Sequence, residues 1–196
     1  MKQILINTLE IGDEWFEGES FLFTADSFKT IKLELEKESD RSIVLMSIAI
    51  IDSILSERIK RKCIIPDKKA IKQLFKPGGP FNTLSSKIEW LYCNGNITRE
   101  LRDDIHIIRD MRNYCAHEWE AFTLSDSVDK KYMRKLNAYR IIQAQTNYIL
   151  KKEKKEMTHM VVIPLRLQFI FMASILISSL NAQKTVAKPI EDIIAP

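Results

Sequence analysis

The sequence predicts an all-α, single-domain helical bundle, and three observations predict it. Apolar residues make up 45% of a 196-residue chain, enough for one sizeable core. Five glycines and 29% charge with clear apolar runs exclude a collagen-like, low-complexity or wholly disordered chain. The apolar residues recur at helical rather than alternating spacing through most of the chain.

Taken in order, residues 1–27 form an N-terminal acidic arm, 28–183 the helical domain and 184–196 a C-terminal tail without periodicity. The arm has only short apolar stretches before Asp13 and Glu14 and no cleavage-site pattern, so a signal peptide is not expected. From Phe28 to Arg61 apolar residues are dense, predicting a long helix buried nearly all round, in which Asp52 needs a partner from another helix. Asp67–Lys76 reads as a short basic helix stopped by Pro77-Gly78-Gly79-Pro80, which lacks phosphate-loop spacing and reads as a turn. Ser86 and Glu89 offer a capping box for the next helix, broken at Asn94-Gly95-Asn96. Thr98 then caps a helix carrying Leu101, Ile105, Ile108 and Met111, with His117 in its last turn. Asp129–Lys155 reads as one further amphipathic helix, and Val161–Leu165 as a loop or short extended piece. Met160–Leu180 approaches spanning length, but Pro164, Arg166 and Gln168 leave only Phe169–Leu180 uninterrupted, which predicts a buried core helix.

Charge and rare residues narrow the chemistry. The net charge of +4 is too mild to announce nucleic acid, but it is unevenly spread. Glu10–Asp40 holds ten acidic residues and three lysines, whereas Arg58–Lys76 holds eight basic residues and one aspartate. Arg58, Lys60, Arg61, Lys62, Lys68, Lys69 and Lys72 are therefore the candidate phosphate contacts, although no helix-turn-helix, zinc or aromatic RNA-binding signature accompanies them. Cys63, Cys93 and Cys115 are odd in number and widely spaced, which argues against a disulfide framework and for a reducing, cytoplasmic setting. Three histidines without metal-ligand spacing suggest neither metal nor cofactor.

The most chemically suggestive stretch is RDMRNYCAHEW, residues 109–119. On a helix His106, Asp110, Asn113 and His117 fall on one stripe, flanked by Arg109 and Arg112. A histidine titrating near neutrality beside fixed cations suits acid–base work on a phosphodiester without a metal. The alternative is structural: Arg112 pairs with a carboxylate such as Asp52, while Asn113 and His117 lock the helix end, where a cationic histidine is favourable. Cys115 and His117, two residues apart, lie on different faces and make a poor thiol–imidazole pair.

GGPFNTLSSKIEWLYCNGNI (78–97), LRDDIHIIRDMRNYCAHEWEAF (101–122) and KESDRSIVLMSIAIIDSIL (37–55) resemble the mannitol operon repressor (MltR) family. The carrying features are a Gly-Pro-Phe turn, a Ser-x-Lys-Ile helix start, Glu38-Ser39-Asp40-Arg41, and the helix end Arg112-Asn113-x-x-Ala116-His117. The resemblance implies a helical homodimer regulating sugar-alcohol uptake genes, through a protein partner or nucleic acid. Arg112 and His117 also match the Arg-x4–6-His pattern of the HEPN superfamily, which implies a metal-independent endoribonuclease of the toxin or defence kind. In that case Arg112, Asn113 and His117 carry catalysis, with Asp52 or Asp40 as the acidic orienter.

Overall fold

The computed structural model describes residues 2–5, 25–65, 67–118, 121–140, 142, 159–162 and 164–182. These residues form β1 (Lys2–Leu5), α1 (Ala25–Glu36), α2 (Asp40–Lys62), α3 (Lys68–Phe75), α4 (Leu84–Cys93), α5 (Arg99–His117) and α6 (Asp126–Lys131). A 3-10 turn (Met133–Lys135), β2 (His159–Val162) and α7 (Leu165–Ala182) complete the order, with 137–140 also helical. β1 and β2 pair in parallel, Lys2 opposite His159. The extended piece expected near Val161 is thus a strand ending at Val162, and Leu165 already belongs to α7.

α2 is the central helix and packs against α1, α4, α5 and α7. Its buried residues Ile43, Val44, Ser47, Ile48, Ile51, Leu55 and Ile59 recur at three- and four-residue steps. One line along it, Ala49, Ser53 and Glu57, stays exposed, so it is not buried all round as its composition suggests. α7 comes much closer to that description: from Phe169 to Ile177 every residue is buried. Phe171 meets Phe28 of α1 with ring centroids 5.6 Å apart. Burial of such rings contributes about 1.5–3 kcal/mol each. Among the described residues, no helix is long and apolar enough to cross a membrane.

Three helix boundaries differ from expectation. The one long helix expected from Phe28 to Arg61 is divided, since α1 ends at Glu36 and Ser39 caps a separate α2 from Asp40. Thr83, not Ser86, caps α4 by accepting from the Ser86 amide, so the helix starts at Leu84 and Glu89 is free for another role. The long helix expected over Asp129–Lys155 is broken between Tyr132 and Leu136. There Asp104 of α5 receives the Asn137 and Ala138 amides at 2.7 and 3.1 Å, and this tertiary cap starts a new helix at 137. Residues 143–158, including the Lys151–Lys155 run, lie outside the described residues, as do 6–24 of the acidic arm.

The turn after α3 is locked by backbone. The Gly79 amide donates to the Lys76 carbonyl at 2.8 Å and the Phe81 amide to Leu74 at 2.8 Å. Gly78 has φ +83°, and a Cβ on Gly79 would run into the Gln73 and Leu74 carbonyl groups. Both glycines are therefore required by the turn, as the Pro-Gly-Gly-Pro reading anticipates.

Candidate interaction surface

The end of α5 is positioned by the start of α2. Ser39 caps α2, and the next two residues reach outward. Arg41 donates from Nη1 to the Cys115 carbonyl (3.0 Å) and from Nη2 to the Glu118 carbonyl (2.8 Å), so a cation closes the negative end of α5. Asp40 accepts from the Leu124 amide (2.9 Å) and from Arg166 of α7 (2.7 Å). Arg166 also donates to the Glu36 and Glu38 carbonyls. Beyond α5, Tyr114 packs on Phe122 and Tyr132, with Lys131 over both tyrosine rings.

This scaffold holds α5 with one face inward and one outward. Asp104, Ile105, Ile108, Met111 and Cys115 are buried. Burial pushes the Cys115 thiol up, against the opposing pull of Arg41 and Arg112, which keeps it protonated and inert. Asp110, Arg112, Asn113, Ala116 and His117 are exposed. Arg112 donates to its neighbour Asn113 at 3.2 Å, and among the described residues His117 makes no hydrogen bond or ion pair.

The expected stripe is therefore divided. His106 turns to α4, with Nε2 2.7 Å from Glu89 Oε1, and Arg102 holds the same carboxylate at 3.0 Å. These contacts, Arg102 first, keep the Glu89 carboxyl below its usual range. Arg109 bonds Asp110 and reaches the Ser85 hydroxyl. Only Asp110, Asn113 and His117 of the stripe, with Arg112 beside them, face outward. Pairing of Arg112 with Asp52 does not occur. Asp52 is bound instead by Lys87 of α4 at 2.7 Å, a partner from another helix as expected; the Asp52 side chain is 41% exposed, so the buried lysine is the member whose charge demands the pair. Neither carboxylate offered as an orienter is unclaimed, since Asp40 serves Leu124 and Arg166 and Asp52 serves Lys87.

The basic block also divides. Arg58 is half-buried and donates to the Asn96 and Leu180 carbonyls, fastening α2 to the α4–α5 loop and α7; it is a strut rather than a surface cation. Arg61, Lys62, Lys68, Lys69 and Lys72 are exposed. Lys60 pairs with Glu57 at 2.7 Å and stands over Phe75. Lys60, Lys68, Ile71, Lys72, Phe75, Lys76 and Pro77 line a groove of about 630 Å³. The sequence reading missed the Ile71–Phe75 floor of this groove; their four-residue spacing within the basic helix is the signal that exposes it. All three cysteines are free thiols. Among the described residues, no group of three His, Cys, Asp or Glu side chains could hold a metal ion.

Comparison with known proteins agrees with this architecture. One solved structure, described as the X-ray structure of the MtlR–HPr complex from Escherichia coli, aligns with a TM-score of 0.58 at 16% identity, over 79% of this chain and 98% of that one. At that identity the likeness establishes the fold. No curated protein sequence matches. The profile of the family described as "Mannitol repressor" matches residues 32–186, which spans α2 through α7, and the chain belongs to that family (MtlR, or MltR).

Proposed function

We propose that this protein is a cytoplasmic regulator of a sugar-alcohol operon that acts as a homodimer through contact with a protein partner. The observation that carries the reading is the family match over residues 32–186. Two features support contact with a protein rather than with operator DNA. The sequence carries no helix-turn-helix signature, and the end of α5 presents Arg112, Asn113 and His117 on an outward face held by Arg41. The fold neighbour was solved with HPr, so an HPr-type phosphocarrier is the first partner to test. Isothermal titration of the purified chain with HPr from the same organism should give a saturable heat that Arg112→Ala/His117→Ala weakens. A null titration across partners encoded beside its gene overturns the reading. Light scattering after size exclusion reads the dimer.

The exposure of Arg112 and His117 is also what a metal-independent ribonuclease needs, and it favours that as the second reading. Against it stands the lack of an unclaimed carboxylate from α2, both candidates being held in other contacts. Incubation of total RNA with the protein in EDTA decides: cleavage that Arg112→Ala/His117→Ala abolishes would make the α5 end an active site.

A further inference from the structure

We propose that the groove along α3 is a docking site for an acidic amphipathic helix of a partner protein. The inference rests on the reading of the chain as a regulator working through protein contacts, and adds a surface and a partner chemistry to it.

Lys68, Lys72 and Lys76 follow one another at four-residue spacing, so their ammonium groups rise from α3 about 6 Å apart along its axis. Ile71 and Phe75, also four apart, run beside them as an apolar floor, and Pro77 closes one end. Among the described residues, Lys68, Lys69, Lys72 and Lys76 make no ion pair, so this line of positive charge is uncompensated. A partner helix with carboxylates at every fourth residue repeats the same 6 Å interval and brings its flanking apolar side chains over the floor. Charge and apolar periodicities thus match in register.

A second feature lies at the other end of α3. Ile64 and Ile65, four and three residues upstream of Lys68, are 97% and 75% exposed. They are two of the three large apolar side chains standing exposed among the described residues, and they neighbour one another in the α2–α3 loop. An adjoining apolar pair beside a cationic row is the composition of a protein-recognition patch rather than of a solvated loop.

Nucleic acid fits less well. Strand binding uses successive aromatic faces open for stacking, whereas Phe75 is, among the described residues, the one aromatic side chain lining the groove, and the Lys60 and Lys87 ammonium groups standing 5.5 and 5.7 Å from its centroid leave its edge rather than its face to a ligand. A concave apolar floor behind the lysines also suits an inserted helix better than a flat lipid surface.

The test is fluorescence anisotropy with the full chain and four probes: a labelled peptide helix carrying Glu at every fourth position beside Leu, its Lys-for-Glu twin, a single-stranded RNA and phosphatidylserine vesicles. The acidic peptide should bind the wild type, weaken about tenfold or more in Lys68→Glu/Lys72→Glu, and weaken several-fold in Ile64→Ser/Ile65→Ser. The charge-reversed protein should in turn gain the Lys twin, which shows that it is folded. Equal affinity of the acidic peptide for wild type and Lys68→Glu/Lys72→Glu overturns the proposal, as does no binding, or binding of RNA or vesicles alone. HPr titrated into the same preparations separates the two readings: HPr binding without peptide binding removes only the groove, and loss of both removes the regulatory reading as well.

Discussion

At the scale of single residues, Arg41 and His117 divide the labour at the end of α5. Arg41 bonds two carbonyls there that no intrahelical donor reaches, so Arg41→Ala should cost about 1.5–3 kcal/mol in a urea melt, the range for hydrogen bonds to a charged group. His117 is exposed and without a described partner, so His117→Ala should leave stability within about 1 kcal/mol. A melt in which His117→Ala loses more than Arg41→Ala would restore histidine as the helix lock. Asp104 is the other decisive single residue. Desolvation raises its pKa, while Asn137 and Ala138 amides oppose the rise. With a folded pKa above the unfolded one, its protonated form contributes stability that is complete below the unfolded pKa, about 3.9, and lost as pH rises through the folded value and the group ionises. Asp104→Ala should therefore flatten that part of the pH–stability curve. It should also lower stability by about 1–2 kcal/mol at neutral pH, because the helix at 137 loses its cap. Urea melts of both proteins from pH 4 to 7 check the sign.

At the scale of elements, the sequence is legible wherever the signal is local. Thr98 caps α5, the Pro77–Pro80 turn stops α3, and Phe169–Leu180 is a core helix, all readable from neighbours within a few residues. Asp52 is half legible: a partner from another helix is expected, but only the packing of α4 on α2 reveals that it is Lys87 and not Arg112, and that the lysine rather than the aspartate is the buried member. The break before 137 is illegible because the group that causes it, Asp104, lies 33 residues upstream. The stripe on α5 is misread for a similar reason, since helical spacing places His106 and His117 together while α4 captures the first through Glu89. The most local of these elements gives the sharpest prediction. Gly79→Ala would push a methyl group into the carbonyls of α3's last turn, so it should destabilise by about 1–3 kcal/mol and shift the α3 and α4 amide resonances. A neutral Gly79→Ala would mean that the turn can open without disturbing α3.

At the scale of the whole molecule, the segment Glu36–Arg41 is where the bundle is tied together. Within it, Ser39 starts α2, Asp40 joins the 124 loop to Arg166 of α7, and Arg41 closes α5, so the start of one helix fixes the ends of two others. This gives a physical account of why Glu38-Ser39-Asp40-Arg41 and Arg112-Asn113-x-x-Ala116-His117 carry the family resemblance together: the first motif holds the backbone from which the second projects. Coupling between them should then be measurable. In a double-mutant cycle, Asp40→Ala and Arg166→Ala share one ion pair and should show a coupling of about 1 kcal/mol or more. Asp40→Ala and Glu89→Ala share no described contact and should add within about 0.5 kcal/mol. If the first cycle were additive, Arg166 would tie the start of α7 to this segment through the Glu36 and Glu38 carbonyls, and α2 would hold α7 by packing and by Arg58 instead. The Arg112–His117 face would then rest on Arg41 rather than on a network, and Asp40→Ala should leave partner affinity at that face unchanged.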